Sequence, residues 1–583
     1  MASYEKSWVK ANVHSCLILV IGGLAFLLKK AGLQMSVESG QVLAGLIPYP
    51  HDNIFFYYHL KAWSLINQIS AIFLKIGMNE YSASIAIGVI GASISFYSVY
   101  LITLYFSKRK NLSFFITLVV IMIQLYPQSP IYPISFFGSS HNNGEMGLSC
   151  FLLTLAFMLN KNKKAFMFMI AILPAVHIVY GAWFALCYLV SIYVKNRSLR
   201  FKVDALKWPF WMGFVVTLFS FSWQKIAFNE RISTTIVERV GSEGFINYVL
   251  YWGAHRRLLT DYNSVDLLSC LFLSLFFIVY FVYRNFKNKL EFNELFIVIL
   301  SVLSFGSVIL MQFTNYLPIV VTKVMPGRFI NIVIILSVLY LLVVNTIKLK
   351  NRLLFFLYLL FVSFCMSFIG RLANYNIVPL SLGITMVVIC CSQFHLLRKF
   401  FKKDITIGMG PIGLVIFFLS IMVFFRSIVN LKSLKNHNVD FSSKIADKVL
   451  YDYLYGQKKQ ILLAGKLGKI QLKTRSPVVI DTGSIDFIPM MPEIQARANK
   501  LLKSVYGIDL SSKPRGELPN GGIPRTHKNL WENRSEKNWK NLGDRYNFEY
   551  ILTPHSWNLN LRKIMETQSL SLFIVGEVSQ QPL

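Results

Sequence analysis

Apolar residues in this chain come in long runs broken by short polar stretches. Several runs approach or exceed the roughly 20 residues that a helix needs to cross a bilayer. They predict crossings at 12–28, 81–106, 112–127, 144–159, 207–224, 265–283, 291–311, 328–346, 352–369, 377–396 and 405–425. The stretch 165–194 is also apolar but holds only about 30 residues, where two full spans need roughly 40. Within it "ILPAVHIVYGAW" contains Pro174, which breaks a helix, and Gly181, which permits a turn. The pattern predicts two short helices whose apex stops below the outer surface. Irregular backbone at that depth is tolerated against protein or a water-filled cavity. His177, Tyr180 and Trp183 would line such a cavity.

After residue 429 the pattern changes. Short β-like runs at 460–464, 477–480, 550–552 and 572–575 alternate with helical patterns at 440–455, 492–506 and 529–546. Such alternation predicts a small α/β domain over 430–583. The stretch 511–527, "SSKPRGELPNGGIPRTH", reads as a long irregular loop. The predicted fold class is an α-helical polytopic membrane protein of about 13 crossings, residues 1–429, followed by this α/β domain.

Charge sets the orientation. The net charge is +31 at pH 7, and residues 1–429 hold 36 Lys/Arg against 14 Asp/Glu. Six basic clusters occupy loops, among them Lys108–Arg109–Lys110 and Lys161/Lys163/Lys164. This distribution marks cytoplasmic loops, so a nucleic-acid partner is rejected in favour of the lipid bilayer. Parity then places the N-terminus inside and both the first loop, 29–80, and the tail outside. The seven cysteines all fall in apolar segments without metal-ligand spacing.

Polar residues near membrane depth are few and therefore informative. The outward loops supply His51-Asp52 with His59 beyond them, His141, Asn142 and Glu145 in "FGSSHNNGE", His177 at the apex, and Arg328 in "VMPGRF". His255 and Arg256 in "YWGAHRRL" add a basic candidate. Each has a plainer reading. Asp52 could cap a helix over 54–76, Glu145 could favour a helix N-terminus, His177 could pack short helices, and Arg328 could anchor to lipid phosphate. The segment 55–76 suits an amphipathic helix along the outer interface, with Phe55, Phe56, Tyr57, Tyr58 and Trp63 at headgroup level.

At these residues the chain resembles the GT-C superfamily of membrane glycosyltransferases, which use polyprenyl-phosphate-linked sugars. The likeness lies in a first outward loop bearing an acid, short central helices, about 13 crossings and an extracytoplasmic α/β domain at the C-terminus. The resemblance implies that Asp52 is the catalytic carboxylate and that Arg328 contacts the carrier phosphate. It implies a polyprenyl-phosphate-linked sugar donor and a glycan or lipid acceptor. His51, His59, His141, Asn142, Glu145, His177, Trp183, His255 and Arg256 are the expected substrate-binding residues. The chain departs from the oligosaccharyltransferase branch in lacking a WWDYG-like motif and a clear Asp-x-Asp. The cofactor therefore stays open, a divalent metal included. The implied location is the bacterial inner (cytoplasmic) membrane. Two other function classes fit the composition: a transporter or flippase of a lipid-linked glycan, and a non-catalytic assembly protein of cell-surface polysaccharide synthesis.

Overall fold

A computed structural model describes residues 2–28, 33–124, 142–197, 207–231, 275, 278–279, 290–311, 328–348, 447–481 except 466 and 468, 491–512 and 527–576. The crossings expected at 352–369, 377–396 and 405–425, and nearly all of 265–283, lie outside these residues.

The helical part begins with α1 (Ala2–Leu28) and a first loop that carries three helices, α2 (Met35–Leu43), α3 (Ile54–Lys61) and α4 (Leu65–Lys75). There follow α5 (Glu80–Ser107), α6 (Lys110–Gln124), α7 (Asn142–Leu159), α8 (Lys163–Val176), α9 (Ile178–Asn196), α10 (Trp208–Arg231), α11 (Phe292–Met311) and α12 (Arg328–Lys348). Among the described residues two helices are both long and apolar enough to cross a membrane, α5 and α9, with mean hydropathies of 2.0 and 1.6 over 18 residues. Shorter apolar helices include Val13–Leu27, Asn143–Leu159, Phe292–Ser307 and Phe329–Tyr340. α5 is the central helix. It packs against α1, α6, α7 and α12, and α7 in turn packs on α8.

The chain breaks between α8 and α9. His177 is extended, at φ −158° and ψ 105°, between two helical segments. Pro174 lies in the last turn of α8 and has no N–H to give its helix. The break stays compact because Gly181 has no side chain: a Cβ there would lie 2.8 Å from Pro174 Cα and 2.9 Å from its nitrogen.

The segment read as one interfacial helix over 55–76 is instead two helices. Ser64 accepts a hydrogen bond from Ile66 N–H at 3.3 Å and starts α4 afresh after Ala62 leaves helical geometry. The aromatic residues are corrected as well. Phe55, Phe56 and Tyr57 are at most 5% exposed, enclosed by protein.

What encloses them is the C-terminal domain. Its sheet runs β1 (Gln460–Leu463), β2 (Phe548–Pro554), β4 (Leu570–Ile574), β3 (Arg562–Glu566) in spatial order. β1 is parallel to β2, and the other pairs are antiparallel. β3 escaped the sequence reading because it is a charged, exposed edge, the usual protection of an unpaired strand. Helices α13 (Lys448–Leu454), α14 (Ile470–Thr474), α15 (Gln495–Tyr506), α16 (Lys528–Glu532) and α17 (Glu536–Tyr546) surround it. Ser535 caps α17 by accepting from Asn538 N–H, so the helix expected over 529–546 is divided.

One hydrophobic core joins this domain to the first loop. Val42, Leu43, Tyr49, Phe55, Phe56 and Leu60 belong to the same buried cluster as Ile461, Val478, Leu502 and Ile551. The loop and the domain therefore share a seam rather than touching at a few surface points.

Candidate functional site

The seam is built on α3. Asn53 is its N-cap, accepting from the N–H groups of Phe55 at 2.7 Å and Phe56 at 2.8 Å. The capping role considered for Asp52 thus belongs to its neighbour. The Asn53 amide also donates to Gln460 Oε1 and, at 3.0 Å, to the Val478 carbonyl of the C-terminal domain.

Asp52 is 54% exposed, and its Oδ2 accepts a 2.6 Å bond from Arg497 Nη2 on α15. His51 is exposed in the same turn. At the other end of α3, Lys61 pairs with Glu493, which also accepts from Tyr57 O–H at 2.9 Å. α15 and the short turn that precedes it therefore hold α3 at both ends.

His59 is placed differently. It is 2% exposed, Nδ1 lies 2.9 Å from Ser39 Oγ, and its ring packs on Phe55 at 4.3 Å. Burial pushes its pKa down to about 3, so the imidazole is neutral at physiological pH and ties α3 to α2.

A second acid, missed by the sequence reading, lies deeper in the seam. Glu38 on α2 is 2% exposed. Its pKa is pushed up to about 8, first by burial and then by the charge of Asp481, against the pull of Lys469. Burial brings Lys469 down to about 8. Lys469 donates to the Leu33 carbonyl, and Gln471 on α14 donates to the Glu38 carbonyl at 3.1 Å. Beside them Arg475 pairs with Glu80 at 2.6 Å. The signal for Glu38 was available: Gln34, Glu38 and Gln41 recur at helical spacing in the first loop. Arg497 carried no such signal.

Residues beside several of the other candidates meet around the helix break. Ser64 donates to the Val176 carbonyl at 3.2 Å, and Asn143 on α7 donates to Asn67 at 3.2 Å. The network continues through Gln68, which exchanges bonds with Ser220 on α10. His177 contacts the Tyr180 ring at 4.8 Å. Trp183 packs on Phe329, the residue after Arg328, with ring centroids 4.0 Å apart and the planes tilted by 44°. Arg328 opens α12, and Asn142 opens α7. Glu145 lies in the first turn of α7 and is buried. His141, His255 and Arg256 lie outside the described residues. The structure thus brings the first loop, the start of α7, the break and the start of α12 together. Among the described residues no three His, Cys, Asp or Glu side chains come together as metal ligands.

No protein-family profile matches the chain. No curated protein matches it either. Among solved structures, the apo form of the Archaeoglobus fulgidus oligosaccharyltransferase is similar at a TM-score of 0.39 and 10% identity, over 93% of this chain and 69% of that one. The archaeal oligosaccharyltransferase AglB from the same organism, in complex with an inhibitory peptide and a dolichol-phosphate, gives 0.29 and 12%, over 94% and 70%. The form tethered to an acceptor peptide gives 0.31 and 12%, over 94% and 70%.

Proposed function

We propose that this chain is a GT-C-type membrane glycosyltransferase that moves a sugar from a polyprenyl-phosphate donor to a glycan or lipid acceptor on the extracytoplasmic face, with Asp52 as its carboxylate. The observation that carries the reading is the division of labour between neighbours. Asn53 performs the helix capping, which leaves Asp52 exposed at the seam between the first loop and the C-terminal domain.

Transfer requires an acceptor hydroxyl to bond to the anomeric carbon while the bond from that carbon to the phosphate oxygen breaks. The electron pair leaves with the phosphate, and the hydroxyl proton must be taken up or directed. An oriented carboxylate serves that need. Positive charge must meet the departing phosphate. Arg328, at the start of α12, is assigned to it. Trp183 stands beside that helix start, and it and His177 are assigned to the sugar. The apolar helices supply the bilayer setting for the polyprenyl chain.

The test is transfer by the purified protein in lipid nanodiscs, offered a panel of radiolabelled polyprenyl-phosphate sugars. Asp52→Asn should lower transfer by about a hundredfold or more while expression and melting temperature hold. Full transfer by Asp52→Asn would remove Asp52 from the reaction.

A further inference from the structure

We infer that Arg497 is a positioning residue for Asp52, so that the active site is a composite of the first loop and the C-terminal domain. The inference rests on the proposed role of Asp52 and adds to it a residue 445 positions away in sequence.

Three observations carry it. First, the contact is a single charge-assisted bond, from Arg497 Nη2 to Asp52 Oδ2 at 2.6 Å. It holds one carboxylate oxygen and leaves Oδ1 for an acceptor hydroxyl. A side chain that must be oriented within a few tenths of an ångström gains from such a tether.

Second, the bond is not what holds the seam. The two side chains are 54% and 33% exposed, and ion pairs at that exposure contribute little to stability. The seam is held by its apolar core, by Asn53 and by the Glu493 contacts to Lys61 and Tyr57.

Third, Arg497 is itself well placed. Glu493 lies one helical turn before it and is fixed against α3 by Tyr57 and Lys61. Ala498 and Leu501 of the same helix are buried in the shared core. The guanidinium is thus presented to the Asp52 turn by a helix with docking contacts other than the Asp52 bond.

The experiment uses the full chain in nanodiscs with whichever polyprenyl-phosphate sugar the wild type transfers. Four variants are compared: Arg497→Gln, Arg497→Lys, Asp52→Asn and the double variant Asp52→Asn/Arg497→Gln. Arg497→Gln should lower kcat about tenfold to a hundredfold with the KM for donor unchanged. Arg497→Lys keeps the charge and should recover part of that loss. The double variant should be no slower than Asp52→Asn alone, because Arg497 acts through Asp52. Losses that multiply in the double variant, or a loss confined to KM, would overturn the positioning role while leaving Asp52 in place. Full activity in Asp52→Asn would overturn both assignments, and the two failures are thereby told apart. A purely structural role would lower the melting temperature of Arg497→Gln and leave kcat per folded molecule intact, which also overturns the inference.

Discussion

Asn53 Nδ2 donates to Gln460 Oε1 across 407 residues of sequence, while the Oδ1 of the same side chain caps α3. One amide thus starts a helix of the first loop and fastens it to the first strand of the C-terminal domain. Its geometry makes the two tasks separable. Asn53→Asp keeps the cap oxygen but replaces the donor with an acceptor facing Gln460 Oε1 and the carbonyls of Val478 and Val479. The expected loss is about 2–4 kcal/mol, because buried acceptors lose their partner and meet a charge. Limited proteolysis should show the C-terminal domain cut faster in the variant. Protection equal to wild type would contradict the seam.

The helix break offers a contrast between two glycines. A Cβ at Gly181 would meet the backbone of Pro174 at 2.8–2.9 Å, whereas one at Gly306 would meet nothing within 4 Å. Gly181→Ala should therefore lower stability by about 1–3 kcal/mol, since backbone must move. Gly306→Ala, inside α11, should be neutral or raise it by up to about 1 kcal/mol. Thermal unfolding in detergent measures both, and the order of the two melting temperatures is the decisive readout.

The pH dependence of the seam follows from Glu38 and His59. Glu38 rises from 4.5 to about 8, so between those values the folded protein keeps a proton that the unfolded chain has released. Its contribution to stability is full at the acid end and is lost as pH rises through that window. His59 falls from 6.5 to about 3, so below 6.5 the unfolded chain binds a proton that the folded one does not. Its contribution is lost as pH falls. The two oppose each other between 4.5 and 6.5. Between 6.5 and 8 Glu38 acts alone of the pair, and melting temperature should decline as pH rises. Glu38→Gln should flatten that decline, and His59→Asn should flatten the acid branch. An unchanged slope in Glu38→Gln would show that Glu38 ionises freely.

Charge parity makes a prediction about sidedness. Ser511 is exposed, at the end of the segment that follows α15. In a cysteine-free background, Ser511→Cys should react with a membrane-impermeant maleimide in intact cells. Labelling that requires permeabilisation would reverse the orientation and move the Asp52 turn to the cytoplasm.

Much of the architecture was written in local patterns. Hydrophobic run length foretold α5, because backbone satisfaction in lipid leaves few alternatives to a helix, whereas α9, expected as one of two short helices, has 19 residues and is long enough to cross. Pro174 and Gly181 announced the discontinuity at His177, since one withholds a backbone donor and the other admits a close approach. Short apolar β-like runs announced β1, β2 and β4, whose residues are buried on both faces or nearly so. The Asp52 turn stood out for its composition alone.

The sequence by itself determined which segments are apolar helices, where the chain must break and which polar residues interrupt the apolar runs, because each of these follows from neighbours a few residues apart. Only the tertiary structure decided what the first loop is for. Phe55 and Phe56 look the same to a sequence reader whether a lipid headgroup or a protein core receives them, since burial by either satisfies an aromatic ring. Whether Asp52 or Asn53 caps α3 depends on a one-residue difference in where the helix begins. The partners Arg497, Gln460 and Lys469 come from a domain more than 400 residues away, and no periodicity relates residues at such distance. Their meeting is a consequence of two apolar surfaces closing on each other, and the charges at the seam took their roles from that closure.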